Sequence, residues 1–161
     1  MRRRDDPPFA IIEIAPSTYD ERYVIRYIEP LQDNLSARGL DVGSEALRRE
    51  AIERAIDSGL PTLTPPIALV QDGRQRPGFL MYDPVYRHPE GRAPRDVAER
   101  RASLDGVFYA PIVAAELLGD VAALADGLVD FELFAGERSD DLRQLVFDSD
   151  GHLSASLSNA L

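Results

Sequence analysis

Three groupings in this chain have residue types and spacing suited to chemistry. The first is Tyr27-Ile28-Glu29-Pro30, where a carboxylate follows an aromatic run. A glutamate there can accept a hydrogen bond from a ligand N–H or pair with an amine at a pocket rim. The plainer alternative is an edge residue facing water. The second is Pro61-Thr62-Leu63-Thr64-Pro65-Pro66, two hydroxyls in a rigid, Pro-bounded segment. They can point at a bound molecule or satisfy the local turn. The third is Phe79-Leu80-Met81-Tyr82-Asp83-Pro84-Val85-Tyr86-Arg87. An apolar stripe with a few polar tips describes a small-molecule pocket, and it also describes a core strand.

Other chemistries are excluded or thinly supported. The chain has no Cys, so disulfides, thiolate nucleophiles and Cys-based metal sites are out. Phosphate-loop, dinucleotide and nucleophile-elbow patterns are absent. The two histidines, His88 and His152, lie beside turn residues and lack metal-ligand spacing. The residues therefore suggest no cofactor and no metal. With 28 acids against 18 bases the net charge is −10, which argues against a nucleic-acid partner. Every basic residue is Arg. No stretch is apolar enough for a membrane span, and no apolar region follows Met1-Arg2-Arg3-Arg4, so no secretory signal is expected.

At 161 residues the chain has the size of one domain and buries roughly 70% of its unfolded surface on folding. Residues 1–8 read as a polar lead-in and 9–161 as the domain. Strands are expected at Phe9–Ile14 and Tyr23–Ile28, with Gly39 left-handed in the connection that follows. Ser44 is the expected N-cap of a helix, with Glu45 in its first turn. Leu47, Ala51, Ile52, Ala55 and Ile56 form its apolar face, and Gly59 and Pro61 end it. Arg48 and Arg49 read as surface or structural residues. Strands follow at Ile67–Gln71 and Gly78–Arg87, joined by a turn at Asp72-Gly73. Pro84 argues for an edge or a bulge there. A short helix is expected at Asp96–Ala102, a strand at Asp105–Val113, a helix at Ala114–Ala125 and a strand at Leu128–Ala135. Leu142–Asp148 and His152–Leu157 flank Asp150-Gly151 as a hairpin. Two main helices with short strands predict an α+β fold on a mainly antiparallel sheet.

These groupings, in this order, resemble the CHASE domain family. The likeness runs from Tyr27-Ile28-Glu29-Pro30 through Asn34, Gly39-Leu40-Asp41, Ser44-Glu45, Arg48-Arg49 and Ser58-Gly59. It continues in Thr62, Thr64 and Pro66, Leu69-Val70-Gln71, and Gly78-Phe79-Leu80-Met81-Tyr82 with Pro84-Val85-Tyr86. Glu99-Arg100-Arg101-Ala102, Gly106-Val107-Phe108-Tyr109-Ala110-Pro111 and Leu117-Leu118 complete it. It covers about residues 20–150.

The resemblance implies an extracytoplasmic, periplasmic sensory module of a bacterial membrane receptor. Such modules sit between two transmembrane helices, ahead of a cytoplasmic histidine kinase or diguanylate cyclase module. It implies a PAS-like fold, here without the family's long N-terminal stalk helix, and a homodimer in the full receptor. It also implies a non-catalytic segment with a small-molecule ligand in the membrane-distal subdomain. In plant members, the cytokinin receptors, the ligand-recognising carboxylate lies on the strand where this sequence has Glu29. On that basis Glu29, Thr64, Phe79, Met81 and Tyr109 are expected to line the pocket. Two other classes compete. A ligand-free spacer would fill its pocket with its own side chains, and a cytoplasmic enzyme would lack flanking hydrophobic segments in the parent protein.

Overall fold

Residues 10–69, 77–88, 91–125, 128–136 and 144–153 are described by a computed structural model. The expected lead-in, Phe9 and the Asp72-Gly73 turn lie outside those residues. Two short strands, β1 (Ile12–Glu13) and β2 (Leu40–Asp41), pair in parallel. Gly39 enters β2 with φ +95°, as expected, and a Cβ there would strike the Ala10 carbonyl oxygen. Only glycine fits this left-handed, closely approached position.

Tyr23–Ile28 is not a ladder strand. It makes one bridge, Val24 to Asp41, and hydrogen-bonds through Ile25 and Tyr23 to residues 39–42. A 3₁₀ turn at Gln32–Ala37 and another at Val42–Ser44 take the chain to α1 (Ala46–Ser58).

The N-cap of α1 is Glu45, one residue later than expected. Its carboxylate accepts the Leu47 and Arg48 N–H groups at 3.0 and 3.1 Å. Ser44 instead donates to the Asp41 carbonyl at 2.6 Å and accepts the Ile14 N–H at 2.8 Å, tying β1 to the helix entrance. Gly59, at φ 73°, closes α1 as expected, its N–H reaching the Ala55 carbonyl. Ala51, Ile52, Ala55 and Ile56 are buried, but Leu47 is exposed and Arg48 and Arg49 are buried in its place.

The sheet is built on β5 (Pro77–Tyr86). One edge pairs antiparallel with β3 (Thr62–Leu63) and β4 (Ile67–Ala68), the other with β6 (Leu104–Val113). Pro84 sits beyond the point where β3 ends opposite Tyr82, so the missing N–H falls where only β6 lies alongside. The register shift next to it, between Val85 and Tyr86, is the irregularity the proline suggested. Leu80 and Tyr82 pack with Ile52 and Ile56 of α1 to form the core.

Helix α2 (Val97–Ser103) is capped by Asp96. It docks on the end of α1 through Arg101, which grips Asp57 with two hydrogen bonds, and Arg100, which donates to the Asp57 carbonyl. The Arg101 guanidinium holds the Asp57 carboxyl below its usual range. Strand β6 leads directly into α3 (Ala114–Ala125).

β8 (Leu145–Asp148) pairs antiparallel with β7 (Glu132–Phe134), not with the segment after Asp150-Gly151. Residues 152 and 153 are helical, so the expected hairpin does not form among the described residues. Three helices and mainly antiparallel sheets make the fold α+β.

The buried guanidinium of Arg49 predicts a stability defect. Its Nε donates to the Gly43 carbonyl at 2.7 Å, Nη2 to the Glu21 carbonyl at 2.6 Å and Nη1 to Glu53 at 3.0 Å. Lysine keeps the charge but cannot reach all three acceptors, so Arg49→Lys should lose about 2–3 kcal/mol. A urea midpoint equal to the parent's would show that these contacts do not hold the fold.

Glu45 predicts a pH dependence. Burial alone would raise its carboxyl, but the Leu47 and Arg48 N–H groups and the Arg48 guanidinium outweigh that and hold it below its ordinary 4.5. A depressed folded value gives stability that is complete above the unfolded value and disappears as pH falls through the folded one. The stability gap between the parent and Glu45→Gln should be largest at neutral pH and shrink below about 4.5. Urea unfolding at pH 7 and pH 3 measures it, and a gap that grows in acid would refute the assignment.

Candidate ligand-binding cleft

An open cleft of about 880 Å³ lies between the irregular segment 21–29 and strand β6. That is within the usual size of small-molecule sites, roughly 300–1,000 Å³. Val42, Ile52 and Tyr82 form its floor, and Leu104, Val107, Tyr109 and Pro111 form the β6 wall. The outer wall carries Ile25 and Ile28 among Glu21, Arg22, Tyr23, Arg26, Tyr27 and Glu29, with Asn34 beside them. Asp105 and Phe108 complete the β6 rim.

The outer wall has no ladder of its own, and two buried polar side chains hold it. Asp41 is 2% exposed, and one carboxylate oxygen accepts the N–H groups of Tyr23 and Gly43 at 3.0 and 3.1 Å. Arg49 holds the Glu21 carbonyl, and its guanidinium lies 3.8 Å from the Tyr19 ring centroid and 5.0 Å from that of Tyr23. Charged groups this deep require such partners. The Tyr23 hydroxyl donates to Glu21 at 3.1 Å, and burial, together with that carboxylate, pushes its pKa upward.

The floor is phenolic. Tyr82 is 1% exposed, its ring 6.4 Å from that of Tyr109, and its hydroxyl has no hydrogen-bond partner among the described residues. Burial pushes its pKa up, against a smaller opposite effect of Arg48, so the phenol stays protonated at neutral pH. At the rim, Arg22 pairs with Glu13 at 3.0 Å and lies 3.9 Å from Asp41. Asp105 pairs with Arg87 at 2.6 Å. Glu29 is exposed and has neither ion pair nor hydrogen bond among the described residues.

The cleft brings together two of the five expected site residues, Glu29 and Tyr109. Thr64, Phe79 and Met81 are not among its lining residues. Thr64 is 3% exposed, and its hydroxyl accepts the Leu80 N–H at 3.0 Å, completing the edge of the sheet next to β3. Phe79 and Met81 alternate with Leu80 and Tyr82 and so occupy the opposite face of β5, opposite Ile112 and Ala110 of β6. Sequence reasoning missed Tyr82 and Phe108 as cleft residues, although both lay within quoted motifs. It also missed Tyr27 as more than a neighbour of Glu29.

Away from the cleft, the carboxylates of Asp130, Asp148 and Asp150 come within 4.8 Å of one another. Each is already engaged, by Ser149 Oγ, the Gly151 N–H and the His152 N–H respectively.

Among the described residues, no helix is long and apolar enough to cross a membrane. A search of curated proteins found no match. A family model described as the CHASE domain matches residues 1–146. The protein therefore belongs to the CHASE domain family, the non-catalytic, extracytoplasmic sensory domains of signalling receptors.

Proposed function

We propose that this chain is the ligand-sensing domain of a bacterial transmembrane receptor. It passes small-molecule binding to a cytoplasmic histidine kinase or diguanylate cyclase module, and the full receptor works as a homodimer with this part in the periplasm. On this reading residues 9–161 form one sensory domain, and the β3–β6 sheet with α1 is its PAS-like portion. The observation that carries the proposal is the cleft. It is open and of ligand size, with a floor of Val42, Ile52 and the Tyr82 phenol and with polar groups at its rim. A spacer would be expected to fill that space with its own side chains.

Binding would act by population shift. A ligand biases the receptor only as far as it prefers one conformation of the cleft over another. Glu29 would supply a hydrogen-bond acceptor or a charge partner at the rim. Tyr109 and Tyr82 would shape the interior, while Thr64 would serve by holding the edge of the sheet.

A thermal-shift screen of the chain against amino acids, organic acids, purines and polyamines tests the reading. A ligand at 100 times its dissociation constant should add about 2.7 kcal/mol of stability. A hit should perturb amide resonances of residues 21–29 and 104–111, and Glu29→Ala should weaken it. A hit that leaves those resonances unmoved would place binding elsewhere, and no hit in any class would favour the spacer.

A further inference from the structure

We infer that the cleft takes a short extended peptide, inserted as a strand between the free edge of β6 and the free edge of segment 21–29, with apolar side chains at alternate positions. The inference deepens the ligand-sensing reading and rests on it.

The backbone hydrogen bonds decide which edges are free. The N–H of Leu80 donates to the Thr64 hydroxyl and its carbonyl accepts the Thr64 N–H, both on the side of β5 away from β6. Pro111, opposite Leu80, therefore makes a pair without hydrogen bonds to β5, and its own backbone points the other way. Alternation gives Tyr109 and Val107 the same direction. The prolines agree, because Pro111 and Pro84, the latter opposite Val107, both fall where the β5–β6 ladder needs no donor. Val107 thus aims an N–H and a C=O out of the sheet edge, and Pro111 a C=O, with no partner among the described residues.

The facing segment is laid out in the same way. The Ile25 N–H donates to the Leu40 carbonyl, and the Ile25 and Tyr23 carbonyls accept the Gly39 and Val42 N–H groups, each at 2.9 Å. Val24, between them, points away from β2. Neither its N–H nor that of Arg26 has a partner among the described residues.

Both edges open onto the cleft. Its lining includes every residue from 21 to 29 and every residue from 104 to 109. In β6 those side chains alternate between the sheet faces, Val107 and Tyr109 on one, Phe108 with Phe79 and Met81 on the other. A space touched by both sets runs along the strand's edge and not over one face. A row of unpaired N–H and C=O groups is a template for a further strand, and peptides bind sheet edges in this way. Here two such rows border one gap, so a single inserted strand satisfies both. Direct closure of the gap is opposed from behind, where buried Asp41 holds the Tyr23 N–H and buried Arg49 the Glu21 carbonyl. From Val107 to Pro111 the strand runs about 13 Å, the length of a peptide of about five residues. Every second side chain of that peptide lies over Val42, Ile52 and Tyr82, which sets the apolar alternation.

The test is a titration of the full chain with blocked pentapeptides, Thr at the first, third and fifth positions and Val, Leu or Phe at the second and fourth, read by NMR and hydrogen exchange. At about 100 times its dissociation constant the best binder should slow exchange of the Val24, Arg26 and Val107 amides at least about tenfold. N-methylation of any one interior residue of the peptide should weaken it at least about fivefold, because an inserted strand donates on both sides. Val107→Pro removes an N–H from the free edge and none from the β5 ladder, and it should weaken the peptide about fivefold relative to Val107→Ala. The N-methyl series tests the same bonds without altering the chain. Binding that ignores N-methylation, or that leaves those amides unprotected, would overturn the inference. So would slow exchange of the Val24 and Val107 amides in the free chain, which would mean that the segment pairs with β6 directly. If no pentapeptide binds while a compound of the wider screen moves the cleft resonances, the insertion falls and the sensing function stands. If nothing moves them, both fall together.

Discussion

The guanidinium of Arg49 is the constraint on which this arrangement turns. It is 5% exposed and joins three stretches of chain: α1, the Gly43 turn and the Glu21 carbonyl. A buried charge is tolerated only when its hydrogen-bonding directions are met, so wherever this one goes its partners must follow. Residues 19–23 are thereby fixed against a helix they would otherwise have no reason to touch. Asp41 does the complementary work from the other end, presenting a carboxylate to the Tyr23 and Gly43 N–H groups.

The cleft follows from that. Segment 21–29 is tethered at its base by polar contacts and bridges but does not pair with β6. The gap between it and β6 stays open because neither side completes the other's hydrogen bonding. One wall is a regular strand in a sheet and the other an irregular strap, which is an economical way to combine a rigid surface with an adaptable one. Aromatic and apolar side chains line the gap, and the charges gather at its mouth.

Much of this was legible in local pattern. The bounds of α3, the glycines at positions 39 and 59, the short helix after Asp96 and the central strand through Phe79–Tyr86 all follow from periodicity and turn chemistry. The losses have identifiable physical causes. Tyr23–Ile28 alternates as a strand does, but its backbone groups are taken up by residues 39–42 rather than by a ladder. Ser44 is a better capping residue by type than Glu45, yet its hydroxyl was claimed by the Asp41 carbonyl. Arg48 and Arg49 occupy buried positions that charge alone would assign to the surface; Arg48 pairs with Glu45 within its own helix entrance, and one of the acceptors that hold Arg49, the Glu21 carbonyl, lies far away in sequence. In β5, alternation shows that Phe79 and Met81 share one face and Leu80 and Tyr82 the other. Only the packing of α1 decides which pair turns toward the core. Of the expected pocket residues, Glu29 and Tyr109 share the cleft because each lies on one of its two walls.

The passage from β6 into α3 has a mechanical meaning. Val113 ends the strand and Ala114 begins the helix, so no linker separates them. A loop would absorb a small displacement through its soft dihedrals, whereas a strand fused to a helix behaves as a stiff rod with a bend in it. Any shift of the wall bearing Tyr109 along its own axis must therefore reappear, almost undiminished, as a push or pull on the first turn of α3. Leu117 and Val121, one helical turn apart and both largely exposed, would ride on that movement.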